Sequence, residues 1–341
     1  MEVSRIDKCF IIAEIGVNHG GSVDVAFKMI DEAKKCGADA VKFQTFKASR
    51  LVGKNTPKVA YQMSTTDVNE THFEMIKALE FKYEDHEPVI NYCKSKNIEF
   101  ISTPYDIESA VFLDKLGVKF FKTASADIVD LPLHRFLAAT RKNVIISTGM
   151  ATLGEIEEVL SIYKIKDIAK VSLLHCVANY PCSYQSLNLN VLKTLKEAFG
   201  LPVGFSDHAA GPFPAVASVA LGATIIEKHF TLDKEMEGPD HKASSTPEEF
   251  SILVDAIRVA EASLGSKVKL VQTEEAEMRK ISRKSLFLTK NIAEGNIIED
   301  GDLTLMRPGY GIYASALPMI IGRKANKDLI EGEMLHYGDF I

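Results

Sequence analysis

Eight short runs of β-branched and aromatic residues recur between positions 10 and 230, each followed by a longer amphipathic segment. "FIIAEI" (10–15), "AVKFQ" (40–44), "EFISTP" (99–104) and "FFKTAS" (120–125) are the first four; "NVIISTG" (143–149), "VSLLHC" (171–176), "VGFSDH" (203–208) and "TIIEKHF" (224–230) follow. The segments between them carry helical periodicity. "DVAFKMIDEAKKCG" (24–37) has apolar residues at i, i+3, i+4 and i+7 and stops at Gly37. "TLGEIEEVLSIYK" (152–164) opens with Thr152 and Glu155, three apart as a capping box requires. Eight strand–helix units in series predict an α/β chain with a parallel sheet, and with eight the economical closure is a (β/α)8 barrel of the TIM type. An open, doubly wound sheet is the alternative. It fits less well because polar residues recur at nearly every strand's C-terminal end.

The rhythm stops after about residue 270. "VQTEEAEMRKIS" is charged and reads as a helical linker; "RKSLFLTKNIAEGNIIEDGDLTLMRPGYGI" then has short strands and glycine turns. The expected division is a catalytic barrel over 1–268, a linker over 269–282 and a small β-rich domain over 283–341. A domain of that size is near the lower limit for a core of its own, so it is expected to lean on its own barrel or on a partner subunit. The net charge of −6 gives no basic surface for nucleic acid. No apolar run approaches the roughly 18 residues of a membrane span, and the first residues lack the pattern of a signal peptide. Cys9, Cys36, Cys93, Cys176 and Cys182 are scattered without metal-ligand spacing and read as reduced thiols of a cytoplasmic protein.

In a (β/α) barrel, side chains from different strands converge at the C-terminal rim. In order, the rim residues are Glu14, Lys42, Gln44, Thr103, Lys122, Ser125 and Ser147, then His175, Asp207, His208, Glu227 and His229. Lysines on two strands with hydroxyls on others suit a small, strongly anionic group, most simply a phosphate. Read singly, each lysine is a solvated rim residue. His208 and His229 end the neighbouring seventh and eighth strands. Two neutral imidazoles with carboxylate and water oxygens suit a divalent ion such as Mn²⁺, Co²⁺ or Zn²⁺; otherwise each caps its strand by bonding a carbonyl. The loop "GPDHKAS" (238–244), with Asp240 and His241, is either a plain turn or a reader of sugar hydroxyls.

Together these residues resemble the bacterial sialic acid (nonulosonic acid) synthase family. The similarity runs through "AEIGVNHGGS" (13–22), "AVKFQTFKA" (40–48), "STP" (102–104), "STGMAT" (147–152), "LHC" with "NYP" (174–181), "FSDH" and "EKHFTLDKEMEGPDHKAS" (227–244). In the tail, "RKSL" (283–286) and "RPGYGI" (307–312) are similar to the antifreeze-like (SAF) domain that ends these enzymes. The resemblance implies condensation of phosphoenolpyruvate with an N-acetylmannosamine-type aldehyde sugar and water. The products are a nine-carbon 2-keto acid and phosphate, and the implied cofactor is a divalent metal, Mn²⁺ or Mg²⁺, on His208 and His229.

Carried over residue by residue, the phosphoenolpyruvate contacts are Lys42, Thr103, Lys122, Ser125, Ser147 and Ser206. The acceptor contacts are Glu14, Gln44, Tyr180 and Asp240, and Arg307 reaches into the partner's barrel of a domain-swapped homodimer. Glu14 steers or deprotonates water, and Asp127 is the carboxylate facing developing positive charge. The family often has Ser-Gly-Glu where this chain has Ser125-Ala126-Asp127, and Asn where it has Ala178, with Asn179 next door. Either change is compatible with another acceptor, such as a 6-deoxy diacetamido sugar. Two competing expectations remain: a 3-deoxy-ulosonate-type synthase acting on a phosphorylated aldose, for which only Lys47 and Arg50 offer extra positive charge, and a non-catalytic carbohydrate-binding protein.

Overall fold

A computed structural model of the chain describes residues 8–341 except 54, 59–61, 64–65, 67–68 and 166–169. The chain divides into two units between Gly265 and Ser266.

In the first unit all eight runs form strands: β1 (Phe10–Gly16), β2 (Ala40–Thr45), β3 (Glu99–Pro104), β4 (Phe120–Thr123), β5 (Asn143–Ser147), β6 (Val171–Cys176), β7 (Val203–Asp207) and β8 (Ile225–His229). They pair in parallel and in sequence order, and β8 closes on β1, so the sheet is a closed barrel. The Val23–Lys35 helix starts where the Ser22 hydroxyl accepts from Val25 N. Capping boxes open the His72–Ala78, Leu153–Lys164 and Pro247–Leu264 helices at Thr71/Glu74, Thr152/Glu155 and Thr246/Glu249. Each Thr cap stabilises its helix by about 1 kcal/mol.

The strands alternate between two apolar environments. Ile11, Ala13, Val41, Phe43, Phe121, Ile146, Leu173 and Phe205 point outward to the helices and form the main core. Ile12, Ala40, Ile101, Phe120, Ile145, Leu174 and Ile225, with Phe10 against them, pack together inside the barrel as a separate apolar layer. Gly204 lies on a lumen-facing phase of β7 because nothing larger fits: a Cβ there would sit 2.6 Å from Leu174 Cδ2 and against the Ile225 carbonyl. The longest connection, between β2 and β3, includes, among its described residues, the short helices Ala48–Leu51 and His72–Ala78 before the Tyr83–Ser95 helix returns to the barrel.

The second unit has a short helix (Ala276–Ser282) and an antiparallel pair, β9 (Ser285–Leu288) with β10 (Leu303–Met306). The rest of its sheet-like order consists of isolated bridges such as Ile292–Leu329 and Ala325–Phe340. Leu286, Leu288, Ile292, Ile298, Ile312, Ile320, Leu329 and Leu335 make a core of its own.

Candidate active site

The alternation that buries Ile12 and Ile225 inside the barrel carries the next inward residues to its C-terminal end. Glu14 follows Ile12, Lys42 and Gln44 follow Ala40, and Thr103 follows Ile101. Lys122, Ser147, Cys176, Ser206 and Glu227 occupy the matching phase on β4 to β8, with Ser125 on the 3₁₀ turn after β4. All of these line one cavity of about 880 Å³, which His208, His229, Tyr180, Asn179 and Asp240 also line.

At its base is a charge cluster that is almost entirely buried. Lys42 Nζ lies 2.8 Å from Glu14 Oε2, donates to Thr103 Oγ1 at 3.2 Å and stands 3.9 Å from Glu227 Oε1. Lys122 Nζ is 3.6 Å from the same Glu227 oxygen, to which the Ser206 hydroxyl donates at 3.0 Å. Gln44 Nε2 donates to Glu14 Oε1 at 3.2 Å. Burial would raise the Glu227 carboxyl, but Lys122 and Lys42 outweigh it and bring it down to about 2. Glu14 goes the other way: burial pushes it up and Lys42 only partly opposes that. The cluster therefore moves its two carboxyls in opposite directions, Glu227 down and Glu14 up. Burial also lowers Lys122. Several polar atoms are buried without a partner: Ser147 Oγ, Glu14 Oε2 beyond its ion pair, Glu227 Oε2 and His229 Nδ1. Converging on one lumen, such atoms are complementary to a polar ligand.

The two imidazoles lie beside this cluster, their ring centroids 5.5 Å apart, and Tyr180 packs 4.2 Å from the His208 ring and 5.6 Å from the His229 ring. His208 Nδ1 is 2.9 Å from the Val177 carbonyl, so it is the protonated nitrogen and leaves Nε2 with its lone pair. Burial holds His208 at about 4 and His229 well below its ordinary value, so both are neutral. Neutral rings with a fixed tautomer are what metal ligation requires. Among the described residues, no group of three or more His, Cys, Asp and Glu side chains forms a metal-holding cluster. The histidine pair alone would leave most coordination positions to substrate and water oxygens, as suits Mn²⁺ or Mg²⁺.

Two rim residues read from the sequence face away. His175 Nε2 is tied to the Leu187 carbonyl at 2.6 Å and stacks on Phe205; Asp207 pairs with Lys228 at 2.8 Å. Both occupy the outward phase. Asp127 is not among the residues lining the cavity: it sits on the 3₁₀ turn with Oδ2 buried and unpartnered, and burial pushes its carboxyl up to about 7. Asn179 lines the cavity, but its amide is already used on the Pro181 carbonyl at 3.2 Å. Asp240 lines the cavity and is raised to about 7 by burial. Arg307 follows β10 in the second unit. Sequence reasoning passed over Tyr105 and Cys176, which also line the cavity. Counting inward by twos from Ile101, or from Leu174, reaches each.

A closed parallel barrel whose C-terminal lumen joins two lysines, two glutamates and two neutral imidazoles defines an enzyme acting on a small anionic substrate. Comparison with known proteins narrows the class. Residues 29–269 match the NeuB family and residues 283–341 the SAF domain, and the chain belongs to the NeuB family. It is 44% identical to the N,N'-diacetyllegionaminic acid synthase of Campylobacter jejuni, over 96% of this chain and 99% of that protein. Identity to the enzyme of the same name from Legionella pneumophila is also 44%, over 96% and 93%. A crystal structure of the N-acetylneuraminic acid synthetase of Leptospira borgpetersenii, with citrate, has a TM-score of 0.72 and 35% identity, covering 80% of this chain and 90% of that one.

Proposed function

We infer that the chain is a phosphoenolpyruvate-dependent nonulosonic acid synthase. It condenses phosphoenolpyruvate with an N-acetylmannosamine-type aldehyde sugar and water, giving a nine-carbon 2-keto acid and phosphate. One observation carries this reading: Lys42 and Lys122 share Glu227 at the base of a cavity where the Ser147 hydroxyl is unsatisfied and two imidazoles stand alongside.

Lys42, Lys122, Thr103, Ser125, Ser147 and Ser206 bind the phosphate and carboxylate of phosphoenolpyruvate. Glu14, Gln44, Asn179, Tyr180 and Asp240 surround the acceptor. His208 and His229 hold the divalent ion, Mn²⁺ or Mg²⁺, which when bound polarises a carbonyl oxygen as a Lewis acid. C3 of phosphoenolpyruvate bonds to the aldehyde carbon as its C=O π bond opens to an alkoxide, which takes up a proton; water oxygen bonds to C2, loses both its protons, and the C2–O bond to phosphate breaks, leaving a C2 ketone and free phosphate. Positive charge developing at C2 is met by Glu227, the firmly ionised carboxylate of the cluster. Glu14 takes a proton of the attacking water, its raised carboxyl suiting that exchange. Asp127, off the cavity, is not needed for this step.

The lysines and arginines lining the cavity, among the described residues, are Lys42 and Lys122. Lys47 is paired with Glu80 at 3.2 Å and Arg50 with Asp106 and Glu108. Among the described residues of the barrel, none lining the cavity beyond Lys42 and Lys122 offers a cation for the second phosphate of a phosphorylated aldose. Phosphate release from phosphoenolpyruvate, with and without Mn²⁺, across unphosphorylated and phosphorylated aldoses tests the function. Release with N-acetylated hexosamines is expected; release with none of the aldoses would overturn it.

We propose further that the barrel is 1–268, the linker 269–282 and the SAF domain 283–341, and that the enzyme is a cytoplasmic, domain-swapped homodimer in which Arg307 completes the partner's site. No helix among the described residues is long and apolar enough to cross a membrane. Exposed apolar side chains on the second unit, including Met278, Ile281 and Tyr310, suit a surface that another subunit covers. Mixing inactive Arg307→Ala and His208→Ala proteins should restore part of the activity if the swap is real; no restoration under conditions that exchange subunits would exclude it.

A further inference from the structure

The upper end of the β7–β8 ladder carries three kinds of pair in succession. Ser206 faces Glu227, and Asp207 faces Lys228 on the next rung. The residues that follow are His208 and His229, whose rings stand 5.5 Å apart. Side chains alternate in facing along a strand, so the first and third pairs line the cavity and the second does not. The Asp207–Lys228 pair therefore lies on the reverse face of the ladder, directly behind the imidazoles.

That pair makes more bonds than a plain ion pair. Lys228 Nζ lies 2.8 Å from Asp207 Oδ2 and also donates to the Ala209 carbonyl and, at 3.2 Å, to the Gly211 carbonyl. Asp207 Oδ1 accepts from Ala209 N at 2.9 Å. Each ammonium proton thus has an acceptor. The bonds fall on the residues either side of His208, and Lys228 itself precedes His229. Both partners are buried, and burying two charges is costly; a well-packed apolar pair would serve the fold as well or better. An apolar pair could not grip the chain on both sides of one histidine from the strand that carries the other. The His208 ring is also held from β6, through the Val177 carbonyl, whereas His229 Nδ1 has no hydrogen-bond partner. Backbone position, with the packing of Tyr180, must then set the spacing of the two rings.

We propose that Lys228 and Asp207 are positioning residues for the metal site. From behind the ladder they lock the His208 segment to β8 and fix the spacing at which the two imidazoles meet a divalent ion. The proposal rests on the histidine–metal reading above and adds two residues that touch neither ion nor substrate.

Two double variants test it. Asp207→Leu with Lys228→Met replaces the pair by apolar side chains; Asp207→Asn with Lys228→Gln keeps polar ones but removes the ammonium. Calorimetric titration of each folded protein with Mn²⁺, without substrate, should show affinity reduced by about 10–100-fold, the range for losing a ligand's supporting contacts. The melting temperature should change little. Phosphate release from phosphoenolpyruvate should fall at low Mn²⁺ and recover at saturating Mn²⁺, with KM for phosphoenolpyruvate unchanged. Wild-type Mn²⁺ affinity in the folded variants would overturn the proposal, as would lost turnover that saturating Mn²⁺ does not recover. A wild-type enzyme that binds no Mn²⁺ would instead overturn the histidine assignment, and the positioning role with it.

Discussion

Lys122 and Glu227 come from opposite sides of the barrel, β4 and β8, and their charged ends meet across the lumen at 3.6 Å. A contact of that kind ties the two halves of the wall together through the site itself. On the reaction proposed above, catalysis and folding draw on the same carboxylate, and substitutions there should report on both.

Glu227→Gln keeps the shape that accepts the Ser206 hydroxyl but removes the charge shared by two buried lysines. The expected loss in kcat is about 10²–10³-fold, the size of losing one main electrostatic contact to the transition state. Stability should fall by on the order of 3 kcal/mol, because buried ammonium groups lose their counter-charge. The wild-type carboxyl lies near 2 when folded against an ordinary 4.5, so its contribution is complete above about pH 4.5 and fades as the pH falls toward 2. Urea denaturation at pH 7 and pH 3 should show a smaller acid loss in the variant.

His208→Ala tests the metal. Losing a ligand should weaken Mn²⁺ binding by more than the ~10–100-fold typical of losing a ligand's hydrogen-bonding partner. Calorimetric titration with Mn²⁺ reads this directly, and Mn²⁺-stimulated phosphate release should vanish in parallel. Unchanged binding together with undiminished turnover would remove both histidines from the assignment.

Asp127→Asn tests the displaced carboxylate. Lying off the cavity, the side chain should be replaceable with turnover within about threefold of wild type, inside the range of substitutions away from the chemistry. Its effect on folding has the opposite pH sign to Glu227. The folded carboxyl is held near 7 and the unfolded one near 3.8, so the unfolded chain ionises first and stability declines as pH rises through that window. The asparagine variant should therefore gain stability relative to wild type at pH 8 but not at pH 4, measured by thermal denaturation.

His86 and His134 are structural histidines that burial lowers to about 4. His86 bonds Thr45 Oγ1 and the Lys82 carbonyl, and His134 bonds the Tyr163 hydroxyl. The unfolded chain takes up their protons from pH 6.5 downward while the folded chain resists until about 4, so stability should fall across that interval. His134→Gln should reduce the slope by one proton's worth between pH 6 and 4.5; an unchanged slope would mean that the ring already shares its charge with solvent.

The eight strands were legible because Val, Ile and Phe runs must pair, and their number and order dictated closure. The facing of individual residues was harder to read. His175 and Asp207 sit at strand ends with the expected chemistry, yet a two-residue period turns both toward the helices, where Leu187 and Lys228 satisfy them. Tyr105 and Cys176 hold the inward phase but look unremarkable in a linear reading. Asp127 illustrates a different limit: it lies close enough to Lys122 and Tyr105 to interact electrostatically with both, yet is not itself among the cavity-lining residues, a distinction no linear motif carries. Leu51, Val52, Ile76 and Leu79 line the same cavity only because a long connection folds back, which no local periodicity encodes.

The plug formed by Ile12, Ala40, Ile101, Phe120, Ile145, Leu174 and Ile225 makes the catalytic shaft blind at its lower end. Substrates and products would then pass through the C-terminal end of the barrel. On the reaction proposed above, the enol phosphate occupies the dead end and the sugar sits over it, so the order of arrival is compulsory. Inorganic phosphate, released deepest, must wait for the keto acid to clear the passage, and it should act as the product that competes with the first substrate to bind.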